Sequence, residues 1–118
     1  MSKGKGKLDL KKTALILCDL QNDFLHPDGA YGRNGMTEPE ISVLPNRLKP
    51  VAEKVRSGNG WLISTHFTLV PGKKGRLLIS PHLSELRPFL GEGDFASGGW
   101  GHDLVAELQP VDIKVEKI

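Results

Sequence analysis

The stretch Thr13-Ala-Leu-Ile-Leu-Cys18, followed at once by Asp19, decides the fold class. This apolar run does not alternate with polar residues, which is typical of a strand buried on both faces in a helix-covered parallel sheet. Residues 61–65 (Trp-Leu-Ile-Ser-Thr) have the same character and are followed by His66. Two strands that each end at a polar side chain are therefore predicted.

A third strand is predicted near residue 118. Val111, Ile113 and Val115 alternate with polar residues there, a period-two pattern. By the same alternation Lys117 falls on the apolar side of the strand. That position is costly for a charged side chain unless a partner offsets the loss of water.

Helices are predicted between the strands. Leu44, Leu48, Val51 and Val55 recur at spacings of four, three and four, which gives one apolar stripe of a helix. Pro50 predicts a kink or a break within it. Residues 57–60 (Ser-Gly-Asn-Gly) predict its end, with glycine in the left-handed cap position. Weaker patterns predict short helices at 82–89 and 102–109, and loops at 21–39, 68–80 and 91–101.

The order strand, helix, strand, helix, strand predicts an α/β fold with a parallel sheet and right-handed crossovers. In open sheets of this class, ligands bind beyond the carboxyl ends of the strands. Asp19, His66 and Lys117 each follow the last apolar residue of a predicted strand. We therefore expect all three on one rim of the sheet.

Length and composition narrow the possible functions. The 118 residues, 38% hydrophobic and 25% charged, suit one globular domain. The net charge of +2 comes mainly from lysines in residues 1–12, which we interpret as a flexible basic tail before a domain at 13–118. Without interleaved aromatic residues or a wider basic face, we expect no nucleic-acid partner. No apolar run is long enough for a membrane span or signal core, so we expect a cytoplasmic protein without a membrane partner.

A carboxylate and an ammonium group at one rim have two interpretations. The pair can orient a nucleophile, move a proton and stabilise a thiolate. It can equally be a structural salt bridge at the sheet edge, since ion pairs also form without catalysis. Spacing alone leaves both interpretations open. The single cysteine, Cys18, excludes an internal disulfide and a Cys-based zinc site.

Two segments resemble the isochorismatase-like cysteine hydrolases. The first is Asp19-Leu-Gln-Asn-Asp-Phe24, with glycines in the loop beyond it. The second runs from Trp100-Gly101 through Asp112-Ile-Lys-Val-Glu-Lys117. The resemblance covers residues 13–118 and implies a three-layer α/β/α Rossmann-like fold, here its first three strands with their helices.

The resemblance also implies roles. In the family an Asp takes the thiol proton, a Lys stabilises charge, and a Cys attacks an amide-type carbonyl carbon. By position Asp19 and Lys117 match the first two, and Phe24, Gln21 and His66 are candidates for contact with substrate. No cofactor is implied. Cys18 is predicted to be a buried strand residue facing away from Asp19, and not the nucleophile.

The family's cysteine lies beyond its lysine, so we expect this chain to be a truncated N-terminal half that is inactive alone. The loops favour a small carbamoyl or ureido amide as substrate. One alternative is a non-catalytic module that forms homo-oligomers or aggregates through an unpaired strand edge. Another is a nicotinamidase-like, metal-assisted amidase. The stretch Ser64-Thr-His66-Phe-Thr68 corresponds to the Asp-x-His pattern of nicotinamidases but lacks the Asp, so we assign no metal ligands, although His26, His66 and His82 are the candidates.

Overall fold

A three-stranded parallel sheet in the order β1-β2-β5 forms the centre of the computed structural model, which describes residues 7–118. Its strands are β1 (Ala14–Cys18), β2 (Trp61–Phe67) and β5 (Ile113–Lys117). The predicted α/β class with a parallel sheet is confirmed. Because β2 runs two residues further than predicted, His66 lies inside the strand and not after it.

Short elements fill the connections. The helices are α1 (Asn22–Leu25), α2 (Ala30–Arg33), α3 (Pro39–Ser42), α4 (Leu44–Ser57) and α5 (Pro81–Leu86), the small hairpin is β3 (Val70–Pro71) with β4 (Leu77–Leu78), and the 3-10 turns are Leu10–Lys12, Lys73–Gly75 and Ala106–Leu108. The prediction of a plain loop at 21–39 is therefore wrong. Of the predicted tail at 1–12, residues 1–6 lie outside the described residues and Leu10–Lys12 form a turn.

Helix α4 buries a slightly different stripe from the predicted one. Ala52 is 1% exposed while Val51 is 45% exposed, because the true 3.6-residue period carries the core stripe through position 52. The helix also continues through Pro50 and does not break there. It ends at Gly58, but the left-handed residue beyond it is Asn59 (φ 65°) and not a glycine.

The predicted helix at 102–109 is wrong in type. Leu104 forms an isolated bridge with Gln21, and the Val105 amide donates to the Leu20 carbonyl at 3.0 Å. These bonds hold the segment extended, so that only the 3-10 turn Ala106–Leu108 remains helical. The apolar residues of this segment are nevertheless buried: Leu104, Val105 and Leu108.

The main core lies under one face of the sheet. Leu17 and Leu62 on that face pack with Val55 of α4 and with Leu108. The strand order advances in one direction from β1 to β5, and right-handed crossovers that advance in the same direction fall on the same face. Both connections therefore cover this face.

The opposite face of the sheet carries exposed apolar side chains. We call it the open face and define it by five residues: Ile16, Cys18, Trp61, Ile113 and Val115. Ile16 is 59% exposed and Trp61 is 54% exposed. Cys18 is exposed as well, so its predicted burial is wrong. The sequence indicated strands covered on both faces, whereas within residues 7–118 the sheet has a layer on one face.

Candidate active site

Asp19 leaves β1 in a left-handed conformation. Its φ is 58°, and its amide donates to both the carbonyl and the hydroxyl oxygen of Thr65, each at 3.1 Å. The Thr65 hydroxyl in turn donates to Oδ1 of Asp19 at 2.9 Å. Thr65 is in register with Cys18, so the Asp19 carboxylate is brought to the face on which Cys18 lies. The prediction that the two point apart is wrong, because alternation requires an extended backbone.

Lys117 has a charged partner, as its predicted position on the apolar side of the strand required. Its Nζ donates to Oδ2 of Asp19 at 2.7 Å and lies 5.8 Å from the centroid of the Phe67 ring. The side chains of Lys117 and Asp19 are 45% and 25% exposed. The structure thus brings together the two residues predicted to be catalytic, at the carboxyl ends of β1 and β5. The catalytic role itself stays a prediction.

Asp19 also borders a groove, together with Phe24, as the resemblance implied for that aromatic. The groove has a volume of about 330 Å³ and lies against α1, α2 and α3. The Phe24 ring stands 4.9 Å from that of Tyr31 and 4.5 Å from that of Phe95, measured between centroids. The groove wall beside the carboxylate is therefore an aromatic cluster.

The Gln21 side chain is buried inside the fold. It is 0% exposed, its Nε2 donates to the carbonyls of Phe67 and His102, and its Oε1 accepts from the Phe67 amide at 2.8 Å. These bonds tie the end of β2 to the segment at 102. Its amide group is fully used inside the fold, and a substrate-binding role for Gln21 stays a prediction from the resemblance.

Asn22 and Asp23 have roles that the sequence did not indicate. Asp23 is 3% exposed, and its two oxygens accept from the amides of Ala30 at 2.9 Å and Phe95 at 2.7 Å. The Asn22 side chain donates to the Trp100 carbonyl at 2.9 Å. Within this segment Asp19, Leu20 and Phe24 line the groove, while Gln21, Asn22 and Asp23 fasten the segment to the loop at 95–104.

His66 lies on the other face of the sheet from the ion pair. It is 2% exposed. Its Nδ1 lies 2.8 Å from the His102 carbonyl, so that nitrogen carries the proton and Nε2 accepts from the Ser64 hydroxyl at 2.7 Å. Two of the three residues predicted for the rim, Asp19 and Lys117, therefore lie together there. His66 does not, because successive side chains of an extended strand point to opposite faces, and Thr65 and Phe67 are on the face of the ion pair.

His102 stacks on His66 with ring centroids 5.1 Å apart. Burial lowers the pKa of His102 and so does His66, while Glu116, Asp103 and Asp23 oppose the shift. Its Nε2 lies 2.8 Å from the Thr68 hydroxyl and 3.3 Å from Oε1 of Glu116. His66, His102 and Glu116 border a second cavity of about 450 Å³, on the sheet face opposite Asp19.

The family model described as "Isochorismatase domain" matches residues 13–118. The chain belongs to this family. No curated protein matches the chain.

The isochorismatase domain of this chain is similar in fold to part of two solved structures. A cysteine hydrolase from Pseudomonas syringae pv. phaseolicola 1448A is similar with a TM-score of 0.58 and 20% identity, over 100% of this chain and 53% of that one. A pyrazinamidase of Pyrococcus horikoshii in complex with zinc has a TM-score of 0.56 and 19% identity, over 88% of this chain and 50% of that one. The isochorismatase domain thus spans about half the length of the structures it matches.

Two of the three histidines named as candidate metal ligands, His26 and His66, use ring nitrogens for hydrogen bonds within the fold. Both ring nitrogens of His66 are already bonded within the fold, and His26 Nδ1 accepts from the Asp28 amide at 3.0 Å. Among residues 7–118, no three His, Cys, Asp or Glu side chains converge as metal ligands would. These residues do not fit a metal centre of that kind.

Among residues 7–118, no helix is long and apolar enough to cross a bilayer.

Proposed function

We propose that this isochorismatase domain provides the acid–base pair of a cysteine hydrolase that cleaves amide or carbamoyl C–N bonds of a small molecule. The observation that carries the proposal is the 2.7 Å ion pair between Lys117 and Asp19 at the carboxyl ends of the parallel strands. The left-handed backbone of Asp19 supports it, because strained residues cluster at functional sites.

The proposed reaction assigns each proton and bond. Asp19 accepts the thiol proton, and the sulfur forms a bond to the carbonyl carbon. The C–N bond then breaks and Asp19 returns the proton to the leaving nitrogen. Water hydrolyses the resulting thioester and restores the thiol. Lys117 keeps Asp19 oriented and offsets negative charge during both steps.

The nucleophile in this proposal is a thiol other than Cys18. Cys18 is the chain's one cysteine, and it lies in β1 on the open face, in register with Thr65. We propose that polypeptide beyond the 118 residues supplies the reactive cysteine, as the half-length match to solved hydrolases suggests. A cytoplasmic location fits, because reduced thiols persist there.

A thiol supplied in solution tests the acid–base assignment with this chain as it exists. The Cys18→Ala variant is incubated with p-nitroacetanilide and increasing 2-mercaptoethanol, and release of p-nitroaniline is followed. We expect cleavage to depend on added thiol and to fall at least tenfold when Asp19→Asn is introduced, since general base catalysis contributes roughly 10²–10⁴-fold.

Two results would overturn the assignment. Equal thiol-dependent rates with and without Asp19→Asn would show that Asp19 is not the base. Rapid turnover by Cys18→Ala without any thiol would show that the reaction does not use a thiol. The reading frame beyond codon 118 gives an independent test: it should encode a further strand and a cysteine in a glycine-rich turn.

The open face supports a second candidate, an interaction module that associates through the sheet. Val115 and Ile113 are 45% and 43% exposed there, and within residues 7–118 β1 is bonded on one edge only, to β2. Unpaired edges accept strands from other chains. Under this proposal a second copy of the chain covers the face, and the oligomeric state in solution decides the question.

A further inference from the structure

The groove beside Asp19 has a consistent chemical character. Seven of its ten lining residues are aliphatic or aromatic. Met36 and Ile41 on its wall are 44% and 46% exposed, so apolar surface faces solvent directly beside the proposed base. Exposed apolar surface of this kind gains free energy when an apolar group covers it.

The two hydroxyl groups of the groove are partly engaged. The Thr37 hydroxyl donates to the Phe24 carbonyl at 3.0 Å, and the Tyr31 hydroxyl accepts from Nε of Arg87 at 3.1 Å. With the Asp19 and Glu38 carboxylates they are the polar side chains of the lining, so a strongly polar ligand would regain only part of the bonds that it loses to water. Such unpaired groups are costly when buried.

The charges of the groove have one sign. Asp19 and Glu38 are among its lining residues, and the lining includes no Lys, Arg or His. The ammonium group of Lys117 is bonded to Asp19. Lys117 thus offsets the charge of Asp19, and a carboxylate on the ligand would meet Glu38, for which the lining holds no cation.

From these three features we infer that the substrate is a neutral amide with an apolar group, a branched alkyl chain or one aromatic ring, and that this group occupies the groove. The volume of about 330 Å³ is sufficient, since a cavity of about 150 Å³ in another protein binds benzene. Small ureido compounds and amides with a carboxylate are disfavoured. The inference rests on the proposed function for the reaction, but binding in the groove can be measured without it.

A binding experiment on the intact chain tests the inference. Benzamide and isovaleramide are titrated against the protein by saturation-transfer NMR, with biuret and succinamate as the polar and anionic comparisons. We expect the two apolar amides to bind at least tenfold more tightly than biuret or succinamate. Equal or tighter binding of biuret or succinamate would overturn the inference.

Matched variants locate the binding. Ile41→Asp adds a carboxylate to the groove, and Val51→Asp makes the same change at a similarly exposed position on α4, 45% against 46%. We expect Ile41→Asp to weaken benzamide binding at least tenfold and Val51→Asp to leave it unchanged. Met36→Glu repeats the test if Ile41→Asp does not fold. Equal effects at positions 41 and 51 would place benzamide outside the groove and overturn the inference.

The two proposals fail separately. Benzamide binding is measured without added thiol and therefore does not depend on cleavage. Loss of cleavage dependence on Asp19 with intact groove binding rejects the mechanism alone. Intact cleavage dependence with no preference for apolar amides rejects the groove assignment alone.

Discussion

Asp19 combines a strained backbone with hydrogen bonds to two residues, Thr65 and Lys117. A left-handed φ of 58° costs most residues roughly 1–2 kcal/mol, while Asn and Asp tolerate it better because their side chains bond locally. The bonds to Thr65 hold the residue in this state. The carboxylate therefore has one orientation, toward Thr65 and Lys117.

Substitutions at Asp19 separate conformation from charge. Asp19→Asn and Asp19→Ala both lose the ion pair with Lys117, but the Asn side chain still accepts from Thr65 and suits the left-handed backbone. We expect Asp19→Ala to be less stable than Asp19→Asn by about 1–2 kcal/mol, measured by urea unfolding. Equal stability of the two variants would show that the backbone relaxes on substitution.

His102 predicts how stability depends on pH. Its pKa is lowered in the folded chain, by burial first and by His66 second, against Glu116, Asp103 and Asp23. The unfolded chain has the ordinary value, about 6.5, and so binds more protons once the pH falls below it. The free energy of unfolding should therefore decrease from pH 7.5 to 5.5, until the folded pKa is passed.

Thermal melts across this range check the sign. We expect the Tm of His102→Gln to depend less on pH than that of the unaltered chain. His82 is exposed and serves as the control, so His82→Gln should keep the original dependence. A steeper dependence in His102→Gln would contradict the assignment.

At the scale of elements, the loop at 95–104 is fastened to α1 by close contacts. A Cβ on Gly101 would lie 2.0 Å from Oδ2 of Asp23, a carboxylate held by two amides. Nothing lies within 4 Å of the corresponding position on Gly91, which precedes this loop. The glycine at 101 is therefore required by packing, and the one at 91 is not.

The two glycines form a matched pair for mutation. We expect Gly101→Ala to lower the free energy of unfolding by about 1–3 kcal/mol, the usual cost of overpacking. Gly91→Ala should change it by less than about 0.5 kcal/mol. Denaturant melts of both variants measure this, and similar losses at the two positions would contradict the proposed role of Asp23.

Elements with a long regular pattern were predictable. The three strands and α4 each have enough apolar residues at one period to outweigh local exceptions such as Pro50. The segment at 102–109 was mispredicted because hydrogen bonds to Leu20 and Gln21, more than 80 positions earlier, decide its conformation. No local pattern contains such a partner.

The site was predictable where position on a strand decides it. Asp19 and Lys117 were located by the carboxyl-end rule and do meet. His66 was misplaced because β2 continues two residues beyond the predicted end. The burial of Gln21 was not foreseen because its hydrogen bonds to Phe67 depend on a strand 46 positions away. Phe24 was assigned by resemblance, and the groove wall includes it.

At the scale of the molecule, the open face predicts association. Ile16 and Val115 are 59% and 45% exposed on it, whereas Val51 and Leu86, at 45% and 52%, lie on helices elsewhere. We expect Ile16→Lys/Val115→Lys to shift the chain toward a monomer in light scattering coupled to size exclusion. Val51→Lys/Leu86→Lys should leave the oligomeric state unchanged.

Cys18 gives a second measurement of the same surface, since it is the one thiol of the chain and lies on the open face. If a second copy covers this face, the rate of Cys18 labelling should fall as protein concentration rises. A folded monomer at all concentrations, with constant labelling, would reject the interaction proposal.

Asp19 and Lys117 are 98 positions apart in the chain, and this separation makes their bond a signal of completed folding. Closing so long a loop is entropically unfavourable until intervening contacts compensate. The carboxylate and the ammonium group therefore meet only after β5 has docked beside β2. A partly folded chain in which β5 has not docked therefore lacks the cation beside Asp19, and the ion pair reports that the sheet is complete.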